Sequence, residues 1–597
     1  MIKFPYGISD FHKIMTEDYF YVDRTDRIPV IEDTRHTLLF LRPRRFGKSL
    51  LLSMLENYYD VAKLDQFEVM FGGLDIGQDP TPLCNQYYVM RWDFSAVDPQ
   101  GGTGQIRRVL HQHINDAISE FQARYQSRLQ YEIKISAENA HSSFHSLLTA
   151  VKMSPHRLYL FIDEYDNFAN EVLISDKSRY KALVQGEGAL KSIFKMVKFG
   201  LSGQGLDRVF IAGVSPIALS DMTSGFNIAT NIYLDPKFND LCGFTESEIM
   251  PILQTIVKRC GLGSDKADEA LSVMRAYYNS FRFSYYDETH IYNPTLVLYF
   301  LDTFQNTCRY PDELLDENLA MDRSKLRYIA GLPEGGQLLL DLLNDNDPLT
   351  IYKLSRRFGV EDVLHERKDR MFMGSLLYYF GILTLVGYSP MKRTILRIPN
   401  QVARGLYLER IQKMILPESD HASQAQVAGD SLYLKGDMQL VCDFIENSYY
   451  HVFSNRDYRW ANELTVKTLF LTVLYNDMLY SIESEPALQR RYADLAMIRR
   501  PDAWDQPFFD VLIEFKYVKL KRDGKAELSL SQDAVRNMSY DELFSLKSVQ
   551  EKLASARPAL ANYAAVLQQK YGDGLHLRRF TVVSIGFERL VWEETTN

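Results

Sequence analysis

Thr37-Leu38-Leu39-Phe40-Leu41 runs directly into Arg42-Pro43-Arg44-Arg45-Phe46-Gly47-Lys48-Ser49, and the helical stretch LLLSMLENYY follows at 50–59. Apolar run, turn and helix, in that order, make a phosphate-binding loop. Backbone N–H groups at a helix N-terminus cradle phosphates, a lysine reaches the β and γ oxygens, and a hydroxyl serves Mg2+. Gly47, Lys48 and Ser49 supply that ending, and Arg44 and Arg45 add cations for the nucleotide. Where such loops usually carry their first glycine this chain has Arg42, and for the loop read alone a basic surface turn is the plainer alternative.

Further along, Leu158-Tyr159-Leu160-Phe161-Ile162 ends in Asp163-Glu164. Two carboxylates closing a buried apolar strand are costly unless they meet a cation or polar partners. Taken with the upstream Gly-Lys-Ser, Asp163 is expected to join Ser49 at Mg2+ and Glu164 to activate the attacking water, although a solvated turn is the reading of the pair in isolation. The runs TLLFL, YYVMRWDF (87–94), RLYLFIDE (157–164) and RVFIAGVS (208–215) alternate with long helical segments, which predicts a parallel α/β sheet with helices on both faces. Ser215, at the end of the last run, is read either as a γ-phosphate sensor or as a helix N-cap before Pro216. Arg282 is read either as a phosphate-sensing arginine of a helical lid or as part of a structural ion pair, and Arg208 is a guess for an arginine acting in trans.

The chain has 597 residues, too many for one core of about 250 to 300 residues, so about two to four domains are expected. The predicted spans are a P-loop ATPase core over 1–240, a helical lid over 241–330, a winged-helix-like connector over 331–404 and an α/β domain over 405–597. Thr245 and Glu248 have the spacing of a capping box at the start of the lid. Helical stretches at 336–345 and 369–380 precede two short β runs at 382–387 and 394–400, the pattern behind the winged-helix reading; a helical linker with a small sheet is the alternative. With 46% hydrophobic and 24% charged residues the composition is that of a folded protein. The N-terminus has no apolar signal region and no run is long enough to span a bilayer, so a cytoplasmic protein without membrane contact is expected. Five scattered cysteines without CxxC spacing argue against disulfide frameworks and zinc sites. The net charge of −9 gives no overall basic footprint, so any nucleic-acid contact has to be local.

The last domain reads helix, strand, strand, helix, strand, with a turn at Asp523-Gly524. Asp494 ends Arg491-Tyr492-Ala493-Asp494, and Glu514-Phe515-Lys516 lies inside the apolar run VLIEFKY at 511–517. Strand period two puts Glu514 and Lys516 on one face. Metal-assisted phosphodiester hydrolysis needs hard oxygen ligands, an activated water and a cation to offset developing charge. Asp494 and Glu514 are candidates to bind Mg2+, Lys516 to serve the nucleophile or transition state, and Glu463 to complete the acid cluster unless it pairs with Lys467 four residues on. Arg490, Arg491, Arg499, Arg500, Lys519, Lys521, Arg522 and Lys525 form either a phosphate-tracking groove or a solvated face.

Tyr6-Gly7-Ile8, Tyr21-Val22-Asp23-Arg24-Thr25, RPRRFGKSL, Asp163-Glu164, Tyr292-Asn293-Pro294 and the terminal ExK together resemble the bacterial proteins that join an AAA-ATPase-like domain to a predicted PD-(D/E)xK nuclease domain. In that family RPRRFGKS is the usual form of the loop, so Arg42 reads as a family trait. Arg24 stands where a lysine is usual, and Asn279-Ser280-Phe281 where NGY is. The resemblance implies ATP binding in an additional-strand, catalytic-glutamate P-loop core, a restriction-endonuclease-like C-terminal domain, and Mg2+-dependent cleavage of nucleic acid, DNA before RNA. A nucleotide-switched scaffold that grips nucleic acid without cutting it is the rival, and self-association into a homo-oligomer stays open.

Overall fold

The structure, a computed structural model, describes residues 1–595 except 98–101, 168–171, 173–179, 181–187, 218–227, 315–322, 344–347, 357, 359–367, 416–419, 451–461, 484–493 and 521–527. The chain divides into two compact units, one of residues 1–308, 316–333 and 350–399, the other of 309–315, 334–349 and 400–597.

In the first unit every expected apolar run is a strand: β1 (Thr37–Leu41), β2 (Tyr87–Asp93), β3 (Arg157–Asp163) and β4 (Leu206–Gly213), joined by a short β5 (Thr230–Asn231). The sheet is parallel in the order β2-β3-β4-β1-β5, which inserts β4 between the loop-bearing β1 and the acid-bearing β3. Parallel strands covered on both faces are apolar throughout. All five residues of β1 are buried for this reason, and α1 (Lys48–Tyr59), the helix after the loop, buries Leu51, Leu52, Met54 and Leu55 on the same core as Phe40 and Phe210.

After the sheet, α2 (Glu246–Cys260) begins with the expected capping box, since Thr245 and Glu248 satisfy each other's backbone N–H groups. A later helix, α3 (Pro294–Thr307), is capped by Asn293, whose side chain accepts from the N–H groups of Thr295 and Leu296, with Pro294 in the first turn where no donor is needed. A disulfide joins Cys260 to Cys308, with Cα atoms 5.6 Å apart, which corrects the expectation of unpaired thiols. The two residues end α2 and α3, 48 positions apart in sequence, and only tertiary packing brings those helix ends together. A three-stranded sheet, β6 (Leu349–Ile351), β7 (Thr384–Tyr388) and β8 (Thr394–Arg397) in the order β6-β8-β7, accompanies α4 (Arg370–Tyr379).

The second unit carries α5 (Glu463–Leu474), then β9 (Tyr480–Glu483), β10 (Leu495–Arg499) and β11 (Asp510–Val518) as an antiparallel set. α6 (Lys547–Tyr571) crosses over to β12 (Leu577–Ile585), parallel to β11, and β13 (Arg589–Glu594) closes the mixed sheet in the order β13-β12-β11-β10-β9. Separate apolar clusters, around Val518 and Val583 and around Leu512 and Leu560, bury the sheet against helical residues such as Leu553 and Leu567 of α6. In this sheet β9 and β13, like β5 and β6 elsewhere, are strands that the apolar runs did not announce. Among the described residues no helix is long and apolar enough to cross a membrane.

Candidate functional site

Arg42 occupies the first-glycine position of the loop without touching the loop's interior. Its guanidinium is 1% exposed, donates to the carbonyls of Leu41, Tyr233, Phe238 and Asn239, and stacks against the rings of Phe40 and Phe283 at 4.5 and 4.0 Å. Burial pushes it down to about 10, still charged at neutral pH. Arg42→Met leaves those carbonyls without donors and is expected to lower the stability of this unit by about 3 kcal/mol. A urea midpoint unchanged from wild type would contradict that structural role.

The loop itself is held from several sides. Phe46 meets Phe281 and Phe283 edge-on at 4.9 and 5.3 Å. The carbonyl of Arg45 accepts from the Thr295 hydroxyl at 2.8 Å. Gly381, in left-handed backbone at φ +74°, approaches so closely that a Cβ there would lie 2.7 Å from Pro43. Gly47 also needs its hydrogen side chain, for conformation rather than space: φ is +87° and nothing lies within 4 Å of where a Cβ would stand. Arg44 and Arg45 are exposed on the turn, Arg44 donating to Asn167.

Lys48 is 3% exposed and donates to the Pro43 carbonyl at 3.0 Å, with its Nζ 3.8 Å from Glu164. The Ser49 hydroxyl donates to Asp163 at 2.8 Å. The sequence pairing of Gly-Lys-Ser with Asp163-Glu164 is thus a spatial cluster at the ends of β1 and β3. A hydroxyl against a wholly buried carboxylate is a hard oxygen set suited to Mg2+. Glu164 sits in left-handed backbone at φ +49°, a strained conformation for a non-glycine residue that concentrates at functional sites, and burial raises its carboxyl although Lys48 opposes the shift.

Two neighbours were not foreseen. Arg91 on β2 donates to Asp163 at 2.5 Å and lies 3.3 Å from Glu56 of α1, whose buried carboxyl is pushed up to about 7 with Arg91 opposing. Strand alternation puts Arg91 and Asp93 on one face, and the parallel register, which the sequence does not give, sets residues 91 and 93 against 161 and 163 and so brings Arg91 to Asp163. Beside Gly47 lies a mostly apolar cavity of about 100 Å3, lined among others by Phe20, Val22, Leu50, Phe244 and Pro294. Arg24 also lines it and pairs with Glu248 and the carbonyl of Gly243.

Three further candidates are bonded within the fold. Ser215 is buried and its hydroxyl donates to Asp166 at 2.8 Å, a link between β4 and the turn after β3 instead of a γ-phosphate sensor. Arg282 is buried, and its three guanidinium nitrogens donate to the carbonyls of Asp287, Val386 and Tyr285, so it clips β7 in place, closer to the structural alternative than to a phosphate sensor. Arg208 is 7% exposed and donates to the Glu32 carbonyl, whereas an arginine acting in trans has to project from the surface.

In the second unit the four predicted charges converge. Lys516 Nζ donates to Glu514 Oε1 at 2.8 Å and lies 3.8 Å from Glu463 Oε1, so Glu463 faces this cluster. Asp494, the residue before β10, accepts the Phe515 N–H at 2.7 Å. Glu514 is 7% exposed, and its Oε2 is buried without a hydrogen-bond partner among the described residues. Burial, and then Asp494, raise Glu514 to about 7; Glu463 is raised chiefly by burial. For Lys516, Glu514 and Glu463 outweigh burial and hold the ammonium above its ordinary value. Among the described residues no three acidic, histidine or cysteine side chains are grouped to hold an ion as placed, and the Lys516 ammonium supplies the positive charge between Glu463 and Glu514.

A carboxyl raised in the folded state gives stability that is complete below its unfolded value of 4.5 and lost as pH rises through about 7. Glu514→Gln, which imitates the protonated form, is therefore expected to stabilise the metal-free protein by up to about 3 kcal/mol near pH 8.5 and to change little near pH 4. Denaturant titrations in EDTA read this; equal effects at both pH values count against the buried, repelled carboxylate.

Of the basic cluster, Arg499 and Arg500 line neither a groove nor a solvated face. Arg499 is buried, bonded to Asp510 and to the carbonyls of Trp504, Gln506 and Gly574, and Arg500 is buried against Asp502 and the carbonyls of Pro311, Asp312 and Asp477. Lys519 is exposed, whereas Arg490, Arg491, Lys521, Arg522, Lys525 and the Asp523-Gly524 turn lie outside the described residues.

Residues 5–223 match the family model of the AAA-ATPase-like proteins, described as a predicted AAA-ATPase, so the first unit carries an AAA-ATPase-like domain. A relative from Azotobacter chroococcum mcd 1, named as an uncharacterized protein in the vnfD 5' region, is 24% identical over 555 residues, covering 88% of this chain and 91% of its own. Among solved structures the chain is similar to Cdc6p from Pyrobaculum aerophilum, at 13% identity and a TM-score of 0.26 over 67% of this chain and 98% of that one. It is also similar to the Aeropyrum pernix ORC2 protein, at 12% identity and a TM-score of 0.33 over 68% and 98%.

Proposed function

We propose that this chain is an ATP-controlled, Mg2+-dependent nuclease, with the nucleotide bound at the Gly47-Lys48-Ser49 loop and nucleic acid, DNA before RNA, cut at Glu463, Asp494, Glu514 and Lys516. The observation that carries the nuclease half is the unsatisfied Oε2 of Glu514, buried beside Lys516 and repelled by Asp494. A buried carboxylate oxygen without a donor is costly, and such groups mark sites that bind something else. The oxygen-only donor set of Glu463, Asp494 and Glu514 suits Mg2+, which when bound supplies an activated water and charge neutralisation. Lys516 then offers its ammonium to the scissile phosphate, and Glu463 orients Lys516.

For the nucleotide half, Ser49 and Asp163 would hold Mg2+, Lys48 the β and γ oxygens, and Glu164 the attacking water, with Arg44 and Arg45 at the phosphates. The cavity beside Gly47 is apolar enough to take a base. In this reading 1–240 is the ATPase core, 241–330 a helical lid, 331–404 a winged-helix-like connector and 405–597 a restriction-endonuclease-like domain. The grip on Pro43, Arg45 and Phe46 gives bound nucleotide a route to the residues that follow the core.

A second reading, a nucleotide-switched binder without turnover, is favoured by the absence of a grouped ion site among the described residues. Cleavage of DNA in Mg2+ by wild type, Glu514→Ala and Lys48→Ala, alongside binding in EDTA, separates them: binding with no turnover by wild type in any nucleotide state would replace the nuclease reading with this one.

A further inference from the structure

A cavity of about 600 Å3 opens beside the β7–β8 hairpin. Lys353, Arg356 and Lys392 line it with Tyr285, Tyr388 and Thr394. Among the described residues no carboxylate lines it, and none of the three cations is in an ion pair. In a chain of net charge −9, three cations around a single opening with no carboxylate among its lining residues are a local electrostatic feature.

The aromatic residues add shape to that charge. Tyr285 and Tyr388 are stacked with ring centroids 4.1 Å apart and planes 7° from parallel, and the Tyr285 hydroxyl is held by Thr394 at 2.9 Å. Tyr286 stands 6.4 Å from Tyr388, and Tyr352 carries the Lys353 ammonium 5.9 Å over its ring. Tyr286 is 78% exposed and Tyr352 72% exposed. Aromatic rings this exposed, beside cations, present flat faces and positive charge together.

We infer that this surface binds a single-stranded segment of nucleic acid, its phosphates on Lys353, Arg356 and Lys392 and its bases on the tyrosines. Planar bases joined by phosphates match alternating rings and cations. An acidic peptide would use the cations but not the bare rings. A free nucleotide would enter the cavity but leave Tyr286 and Tyr352 uncovered. A duplex keeps its bases stacked on one another and unavailable to the rings. The ligand class is the one in the cleavage reading, but the surface belongs to the first unit and its binding needs no metal, so either proposal can fail alone.

The test is fluorescence anisotropy of a labelled DNA strand of about 20 nucleotides with the full chain in EDTA, across a salt series. Lys353→Glu/Arg356→Glu/Lys392→Glu is expected to weaken binding about tenfold or more and to flatten the slope of log K against log salt by about 2 units. Tyr286→Ala/Tyr352→Ala is expected to weaken it about fivefold or more with the slope unchanged. All five side chains are exposed, and Lys392→Ala at the hairpin turn serves if the triple variant does not fold; about a twofold or greater loss is expected from it. Wild-type failure to bind, affinity untouched by the charge changes, tighter binding of the matched duplex, or displacement by a nucleoside monophosphate mole for mole would each overturn the inference.

Discussion

In a Mg2+-dependent cleavage assay, Glu514→Ala is expected to lower turnover by about 10³-fold or more, and Lys516→Ala by about 10²-fold or more. Glu514 is the innermost carboxylate of its cluster, with one oxygen on Lys516 and the other without a hydrogen-bond partner among the described residues. Removing it takes away the ligand best shielded from water, where an ionic contact is strongest. Lys516 loses its nearest partner in that variant, so the two losses are expected to be less than additive in the double variant. Glu514→Gln, which keeps the side-chain volume, controls against unfolding: it is expected to lose cleavage as Glu514→Ala does while gaining stability at high pH. Wild-type-like cleavage by Glu514→Ala removes the nuclease assignment, and a lower unfolding midpoint for Glu514→Gln near pH 8.5 removes the argument from repulsion.

Lys48→Ala is expected to lower ATP hydrolysis by about 10²-fold or more and to weaken nucleotide binding, whereas Glu164→Gln is expected to retain binding and lose hydrolysis to a similar degree. The difference follows from where the two side chains stand. Lys48 is buried against the loop carbonyl of Pro43, an acceptor that a phosphate oxygen can replace, while Glu164 is held at the turn after β3 by strained backbone and approaches the same ammonium. Arg91 makes a control of a different kind. It neutralises Asp163 from β2, so Arg91→Gln is expected to shift the Mg2+ concentration needed for half-maximal hydrolysis rather than abolish it. Radiometric hydrolysis with parallel equilibrium binding reads all three; equal loss of binding in Lys48→Ala and Glu164→Gln defeats the division of labour.

Legibility in the sequence followed the range of the forces involved. The four long parallel strands were read directly because each carries a run of at least four consecutive buried residues, nearly all apolar or aromatic, and the capping box at Thr245 and Glu248 because it closes within one turn. β9 and β13 were not, since edge strands are buried on fewer sides and need no apolar run. The candidate residues Lys48, Ser49, Asp163 and Glu164 were legible because a strand-loop-helix order fixes them, and Glu514 with Lys516 because period two gives them one face.

What the sequence determined by itself is the kind of chemistry at each strand end: a Gly-Lys-Ser turn, an acid pair, and an ExK within an apolar strand can each be named without coordinates. What only the tertiary structure decided is which of the remaining charges belong to that chemistry. Arg42, Arg282, Arg499 and Arg500 look in sequence like cations available to phosphate, yet each is buried and bonded to backbone carbonyls. Arg91, in the middle of an apolar strand, looks structural and touches Asp163. An arginine reaches several ångströms from its backbone, so its partner is set by what the fold brings within that radius, and residues far apart in the chain supply it.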